Sequence, residues 1–485
     1  MKFIFTTFLL LFWSISFTQT IDKRLFENHY LFEEKSIDKR RIKPDLVNKL
    51  IKKISRDKDF KIEKLGESIE GRPIQLISIG EGEINILLWS QMHGDEPTAT
   101  MAIFDILNLL RKSRQFDSEI SQLLSKVTLH FIPMLNPDGA QLYKRRNALG
   151  VDLNRDAIRL QSPESRILKN TRDRINPEFG FNLHDQSRYY TVGYTEKPAT
   201  ISILAPAYNY EKEINDVRAN AMKVIIDMNR VIQKYIPGQV GRYSDEFEPR
   251  AFGDNIQKWG TSAILIESGG HYEDREKQTI RKINFVAILS AIFSIADAQY
   301  LSNDLHDYEK IPSNNRRLTD LKIKNLNYER NNINYTVDVA INLGEVDDSK
   351  HDNFYLRGSI VDLGDLSTTY GYKEIDASGM DFVSPKMHPN IFPDIRGLKK
   401  LDLEKTLKEG IAYVRVEDLS KSELFTSFPI NLVHENFEPS TQLLLGDRAN
   451  FFLSKDGEIK VAVINGIVRE LSEPFRFKSN SLIIK

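Results

Sequence analysis

The sequence predicts an α/β protein with a mostly parallel, mixed sheet flanked by helices, followed by a smaller β-rich C-terminal domain. Three observations predict this. Between about residues 45 and 300, short and almost wholly apolar runs alternate with longer helical patterns. Those runs lack the polar alternation of a one-sided sheet, so they read as strands buried on both faces. After about Tyr300 the pattern changes to short β-rich runs separated by turn signals.

The elements follow in order. Lys2 precedes an apolar stretch from Phe3 to about Phe17, and polar sequence begins at Thr18-Gln19-Thr20. This reads as a secretory signal peptide over residues 1–19, too short for a membrane span, and it implies export to a periplasmic or extracellular compartment with no stable membrane insertion after removal. The 485 residues contain no cysteine, so neither lipid attachment nor disulfides contribute and stability must come from core burial. Residues 20–44 form an N-terminal arm whose densest charge cluster is Asp38-Lys39-Arg40-Arg41. It reads as a solvated surface segment, with a pro-segment or docking arm as the alternative.

The main domain spans residues 45–303. It opens with helical spacing of Leu46, Val47, Leu50, Ile51 and Ile54, then two short strands around Lys61 to Lys64 and Ile74 to Ile79 with a turn at Glu70-Gly71-Arg72-Pro73. Strands are expected at Ile84 to Trp89, Val127 to Met134, Phe179 to Leu183 and Ser262 to Ile266. Helices are expected from Pro97 to about Leu110, from Ser162-Pro163-Glu164, from about Lys212 to Tyr235 and from Arg275 to Ala296. Serine at the N-cap followed by proline is a sound helix start. A polar cluster at Asn303 to Asn315 precedes the β-rich domain, residues 316–485. Its runs include Tyr335 to Leu343, Tyr355 to Val361, Ala412 to Val416 and Phe451 to Leu453, and Lys455-Asp456-Gly457-Glu458 is a hairpin signal.

The balance of 67 basic and 68 acidic residues leaves a formal net charge of −1. That offers no basic field for nucleic acid. The chemistry lies at strand ends: His93-Gly94-Asp95-Glu96 follows one apolar run, and His184 and Glu267 close two others. A histidine and a carboxylate three residues apart can turn toward one ion on a tight loop. A distant histidine completes the set and leaves a position open, which suits hydrolysis, and open α/β sheets bind ligands at such strand ends.

Six segments occur in the order of a known family: Glu70-Gly71-Arg72-Pro73-Ile74, His93-Gly94-Asp95-Glu96, Asn136-Pro137-Asp138-Gly139, Arg145 with Gly150-Val151-Asp152-Leu153-Asn154-Arg155, His184, and Glu267. From about Asp45 to Ala296 the chain resembles the zinc carboxypeptidases related to carboxypeptidase A, an exported bacterial-type member. The resemblance implies that His93, Glu96 and His184 bind one zinc ion, with Asp152 fixing the outer nitrogen of His93. It implies that Glu267 is the general base for metal-activated water, that Arg145 stabilises the oxyanion, and that Asn154 and Arg155 grip the substrate carboxylate. Tyr243 is the nearest counterpart of the family's mobile tyrosine. Digestive members carry arginine between the first two ligands, where this chain has Asp95, and Arg250 to Asp254 shows neither a clear acidic selector nor a clear apolar pocket.

The other histidines read otherwise. His130 reads as a core or edge residue, His29, His306, His351, His388 and His434 lack ligand-spaced partners, and His271 either reaches the cleft or caps a helix. Asn136-Pro137-Asp138-Gly139 reads as a turn. The leading function is a carboxypeptidase acting on peptides. The alternatives are a murein peptidase cleaving γ-D-glutamyl to diamino-acid bonds in peptidoglycan stem peptides, an amide deacylase related to succinylglutamate desuccinylase, and a catalytically inactive peptide- or glycan-binding protein.

Overall fold

The computed structural model describes residues 21–112, 115–419, 424–473 and 481–485; the expected signal peptide, residues 1–19, lies outside the described residues. Two compact units divide the chain between Arg316 and Arg317.

In the first unit a helix over residues 21–32 (α1) precedes α2 (Pro44–Ile54), β1 (Lys61–Glu67), β2 (Pro73–Ile79), β3 (Ile84–Ser90), α3 (Thr98–Lys112), α4 (Asp117–Leu124), β4 (Val127–Ile132) and α5 (Pro137–Leu142). There follow α6 (Pro163–Ile175), β5 (Phe179–Asp185), β6 (Tyr190–Val192), β7 (Ile201–Leu204), α7 (Asp216–Ile232), β8 (Val240–Arg242), α8 (Phe252–Lys258), β9 (Ser262–Ser268) and α9 (Gln278–Ala296). Eight strands form one sheet in the order β1-β2-β4-β3-β5-β9-β7-β8. The central strands β4, β3, β5 and β9 run parallel, while β1, β2 and the β9–β7 pairing are antiparallel. The fold is the mixed α/β sheet that the apolar runs predict.

Those runs are apolar because both faces are covered. Along β3, Ile86 and Leu88 enter the core under α3, α7 and α9, whereas Leu87 and Trp89 enter the core under α6 and α8. Helix α9 has 19 apolar-rich residues and passes the length and hydropathy test for a membrane span, yet it is buried within the unit. A helix apolar all round fits a core position.

Several expectations are corrected. The strands β6, β7 and β8 are short, three or four residues each, and gave no periodic signal long enough to read. Asn136-Pro137-Asp138-Gly139 is not merely a turn. It opens α5, with Asn136 Oδ1 accepting from Gly139 N at 2.9 Å. The arm is not a solvated segment: Ile21, Leu25, Phe32, Ile37 and Ile42 are buried in the main core, and of the charge cluster Arg40 and Arg41 are buried too. Buried Arg281 fastens the arm, donating to Asp105 Oδ1 at 2.6 Å and to the carbonyl of Ile37 at 2.7 Å. Asp105 also meets His29 Nε2 at 2.8 Å.

The second unit is built of β-structure. Its strands form an eight-stranded sheet, from Leu318–Arg330 to Ile467–Glu470, and a five-stranded sheet that includes Ile411–Val416 and Ser481–Ile484. Asp456 and Gly457 both take positive φ, 55° and 79°, between Phe451–Lys455 and Glu458–Ile464. Two left-handed residues are what a tight hairpin turn requires.

Candidate metal centre and cleft

The chain leaves β3 through Gln91 at φ 45° and turns so that Glu96 N donates to His93 O at 3.2 Å. Gly94 makes this loop possible: a Cβ there would lie 2.0 Å from the carbonyl carbon of Gly139. The metal-ligand loop and α5 therefore touch backbone to backbone. Asp138, the residue before Gly139, accepts from Ser68 Oγ at 2.7 Å and Arg72 Nη1 at 2.6 Å. Three of the sequence motifs are thus one packed assembly.

His184 and Glu267 arrive from the sheet. They are register partners near the ends of β5 and β9. Because side chains alternate, they share a face with Asn182 and Leu265 while Leu183 and Ile266 point into the opposite core.

The ligand atoms converge. One donor atom from each of His93, Glu96 and His184 lies within 4.8 Å of the others, and all three residues are buried. His93 Nδ1 is 2.9 Å from Glu96 Oε1, and His184 Nδ1 is 2.7 Å from Glu96 Oε2 and 3.2 Å from His93 Nδ1. His93 Nε2 meets Asp152 Oδ1 at 3.1 Å. A carboxylate on that nitrogen holds its proton there and leaves the Nδ1 lone pair facing the cluster. Two imidazoles and one carboxylate with a tautomer so fixed fit a borderline divalent ion such as zinc.

Electrostatics agree with the geometry. Burial works against charge on Glu96, but His93 and His184 outweigh it and hold the carboxyl well below its ordinary range. Burial would lower His93, yet Glu96 and Asp152 carry it up to about 9. Glu267 is displaced the other way, first by burial and then by the charges of Glu96 and Asp185. Asp185 is itself held by Lys277 Nζ at 2.9 Å and Thr98 Oγ1 at 2.6 Å.

Arg145 reaches the cluster from the loop after α5. Its Nη1 lies 3.1 Å from both Glu96 Oε1 and His93 Nδ1, and its Nε donates to Asp152 Oδ2 at 3.1 Å. A cleft of about 480 Å³ opens over these groups, lined also by Asn154, Arg155 and Tyr243. Asn154 Oδ1 accepts from Phe252 N at 2.8 Å. Arg155 Nε faces Glu248 Oε2 at 3.2 Å. Burial, then the charge of Glu267, pushes the Tyr243 phenol well above its usual range. All nine residues singled out in the sequence are brought together around this cleft, with Asp152 behind His93.

Residues 47–263 match the profile of the zinc carboxypeptidase family. Over that span the chain is similar to zinc carboxypeptidases. Among curated relatives, the chain is 36% identical to carboxypeptidase SOL1 of Arabidopsis thaliana over 98 residues, 19% of this chain and 20% of that protein. It is 34% identical to carboxypeptidase E of Caenorhabditis elegans over 119 residues, 20% of this chain and 25% of that protein. The matches thus span a quarter or less of those relatives' lengths. A metallo-carboxypeptidase structure from Burkholderia cenocepacia aligns at a TM-score of 0.42 and 18% identity, covering 52% of this chain and 69% of that one.

The cleft also holds residues that the sequence does not single out. Asp254 lines the cleft, accepts from Glu248 N at 3.0 Å, and is pushed up to about 7 chiefly by burial. Glu248, Tyr190 and Gln186 line it as well. The run Arg250 to Asp254 concealed an acidic group because only the fold shows that Asp254 points inward. His271 does not line the cleft; its Nδ1 meets Gln239 Oε1 at 3.1 Å.

Proposed function

We propose that the protein is a zinc-dependent carboxypeptidase that hydrolyses C-terminal peptide bonds. The observation that carries this reading is the convergence of His93, Glu96 and His184, with Glu267 as the register partner of His184 in the same cleft. Zinc held by two neutral imidazoles and one carboxylate retains net positive charge and supplies Lewis acidity toward water and a carbonyl oxygen.

The chain's own residues do the rest. Glu267 accepts a proton from the attacking water and delivers it to the amine nitrogen as the carbon–nitrogen bond breaks. A carboxyl whose environment favours the protonated form is suited to holding that proton between the two transfers. Arg145 presents N–H donors beside the ligand cluster, where charge develops on the former carbonyl oxygen. Asn154 and Arg155 offer donors to a terminal carboxylate at the cleft wall, and Tyr243 lines the same cleft.

Glu267→Gln tests the assignment. The variant should keep its zinc by elemental analysis and lose roughly a thousandfold or more in kcat on acyl-peptides with varied C-terminal residues. Undiminished hydrolysis by the variant would remove Glu267 from the mechanism. Muropeptides in the same panel, read by mass spectrometry with a chelator control, distinguish a stem-peptide substrate from ordinary peptides.

A further inference from the structure

Arg145 stands at the ligand cluster on a largely exposed segment, held there by Lys144 N donating to Gly139 O at 2.8 Å and buried Asn136 Nδ2 donating to Arg145 O at 3.3 Å. Lys144, Arg145, Arg146 and residues 148–150 are all exposed. Downstream the segment is pinned by buried Asn147, whose Oδ1 accepts from Leu149 N at 3.1 Å and Val151 N at 3.0 Å. Upstream it turns at Tyr143, a non-glycine residue in the left-handed region at φ 50°, ψ 52°. Such a conformation persists where surrounding contacts impose it.

The N-terminal arm contacts the Tyr143 side chain. The Arg41 guanidinium lies 4.0 Å from the ring centroid, and Arg40 Nη1 donates to the Tyr143 hydroxyl at 2.8 Å. Lys43 Nζ donates to the carbonyl of Gln141 at 2.7 Å. The arm end is itself fixed: Arg40 N donates to Glu276 Oε2 at 3.0 Å, and the Ile37 carbonyl accepts from buried Arg281. An exposed loop bearing a cation is thus tied, two residues upstream of that cation, to the protein core.

We propose that Arg40 and Arg41 are positioning residues for Arg145, acting through Tyr143. They form a strap that holds the oxyanion-facing guanidinium in register with Glu96 and His93. The inference rests on the role given to Arg145 above. A residue that acts by position should affect turnover far more than metal content or substrate affinity, because a displacement of about 1 Å at a reacting centre costs up to roughly a hundredfold in rate.

The test compares Arg41→Ala, Arg41→Lys and Tyr143→Phe in the full chain. Three readouts are taken: zinc content, kcat and KM on the acyl-peptide panel, and hydrogen exchange of the amides of residues 141–147. Arg41→Ala should lower kcat about tenfold with KM and zinc within about twofold, and speed exchange in 141–147 while α9 is unchanged. Arg41→Lys, which keeps a cation over the ring, should recover part of the loss. Tyr143→Phe, the mildest change, removes only the acceptor for Arg40 and should give a smaller effect of the same kind.

Unaltered exchange in 141–147 together with unaltered kcat would overturn the strap, even if thermal stability fell. A loss of kcat accompanied by equal loss of zinc would overturn it too. Absence of turnover in the wild type would instead refute the peptidase reading. The exchange data would then still decide whether the arm holds this loop.

Discussion

The floor and the rim of the cleft are built by different rules. The floor is made of β3, β5 and β9 and the loop that leaves β3, and His93, Glu96, His184 and Glu267 are all buried there. The rim is made of turns and short helices over 141–155 and 243–254, with Arg145, Arg155 and Tyr243 all reached by solvent. A buried floor over-determines its side chains, because sheet register, tautomer and close packing all point to one arrangement. The rim is held by individual contacts, so each of its residues can change alone.

That difference orders the expected effects. The largest belongs to Gly94→Ala, since the added Cβ would meet backbone rather than a movable side chain. It should cost about 3 kcal/mol or prevent folding, measured by denaturant unfolding. A near-neutral result would mean that the floor is softer than its contacts indicate. Next is Asp152→Asn, which leaves the cluster intact but weakens the hold on His93 Nε2. Zinc affinity, measured against a chelator, should fall roughly 10–100-fold.

Rim substitutions should be smaller and should separate binding from chemistry. Arg155→Lys removes the planar donor pair and should raise KM about tenfold with kcat nearly unchanged. Glu248→Gln should act in the opposite direction: Arg155 is partly neutralised by Glu248, so its removal should lower KM about threefold for substrates with a free carboxylate. A rise in KM for Glu248→Gln would show that Glu248 contacts substrate itself.

The smallest effect lies outside the cleft and sharpens the comparison by its pH dependence. His130 on β4 is hydrogen-bonded at both nitrogens, to Ser78 Oγ at 2.8 Å and Asn85 Oδ1 at 3.1 Å, and burial, then Arg174, pushes it down to about 4. Its folded value lies below the unfolded 6.5. The stability it contributes is therefore complete above 6.5 and lost as pH falls through 4. In His130→Gln the loss of thermal stability between pH 6.5 and pH 4 should be shallower than in the wild type. Parallel curves would exclude His130 as a source of acid lability.

The same contrast explains what the sequence disclosed. Strands buried on both faces are legible as apolar runs, and a histidine or glutamate ending such a run stands out because an unpaired charge there would be costly. His184 and Glu267 were readable for that reason, and His93 and Glu96 by their spacing. Glu248 and Asp254 were not, because nothing in a turn-rich stretch distinguishes an inward acid from a solvated one. Arg40 and Arg41 were misread on similar grounds. Charge density ordinarily means solvent, whereas here the aromatic ring of Tyr143, about 100 residues away, covers them. Strands of three residues such as β6 and β8 carry no period at all.

The arm's attachment bears on the order in which the chain acquires its structure. The hydrogen bond from Arg281 to the Ile37 carbonyl spans 244 residues, and closing so long a loop is entropically costly until much else is in place. Residues 21–43 are therefore expected to seat late, once α9 has packed. A slow refolding phase sensitive to Asp105→Asn or Arg281→Lys is the kinetic signature to expect, with the helical core forming ahead of it.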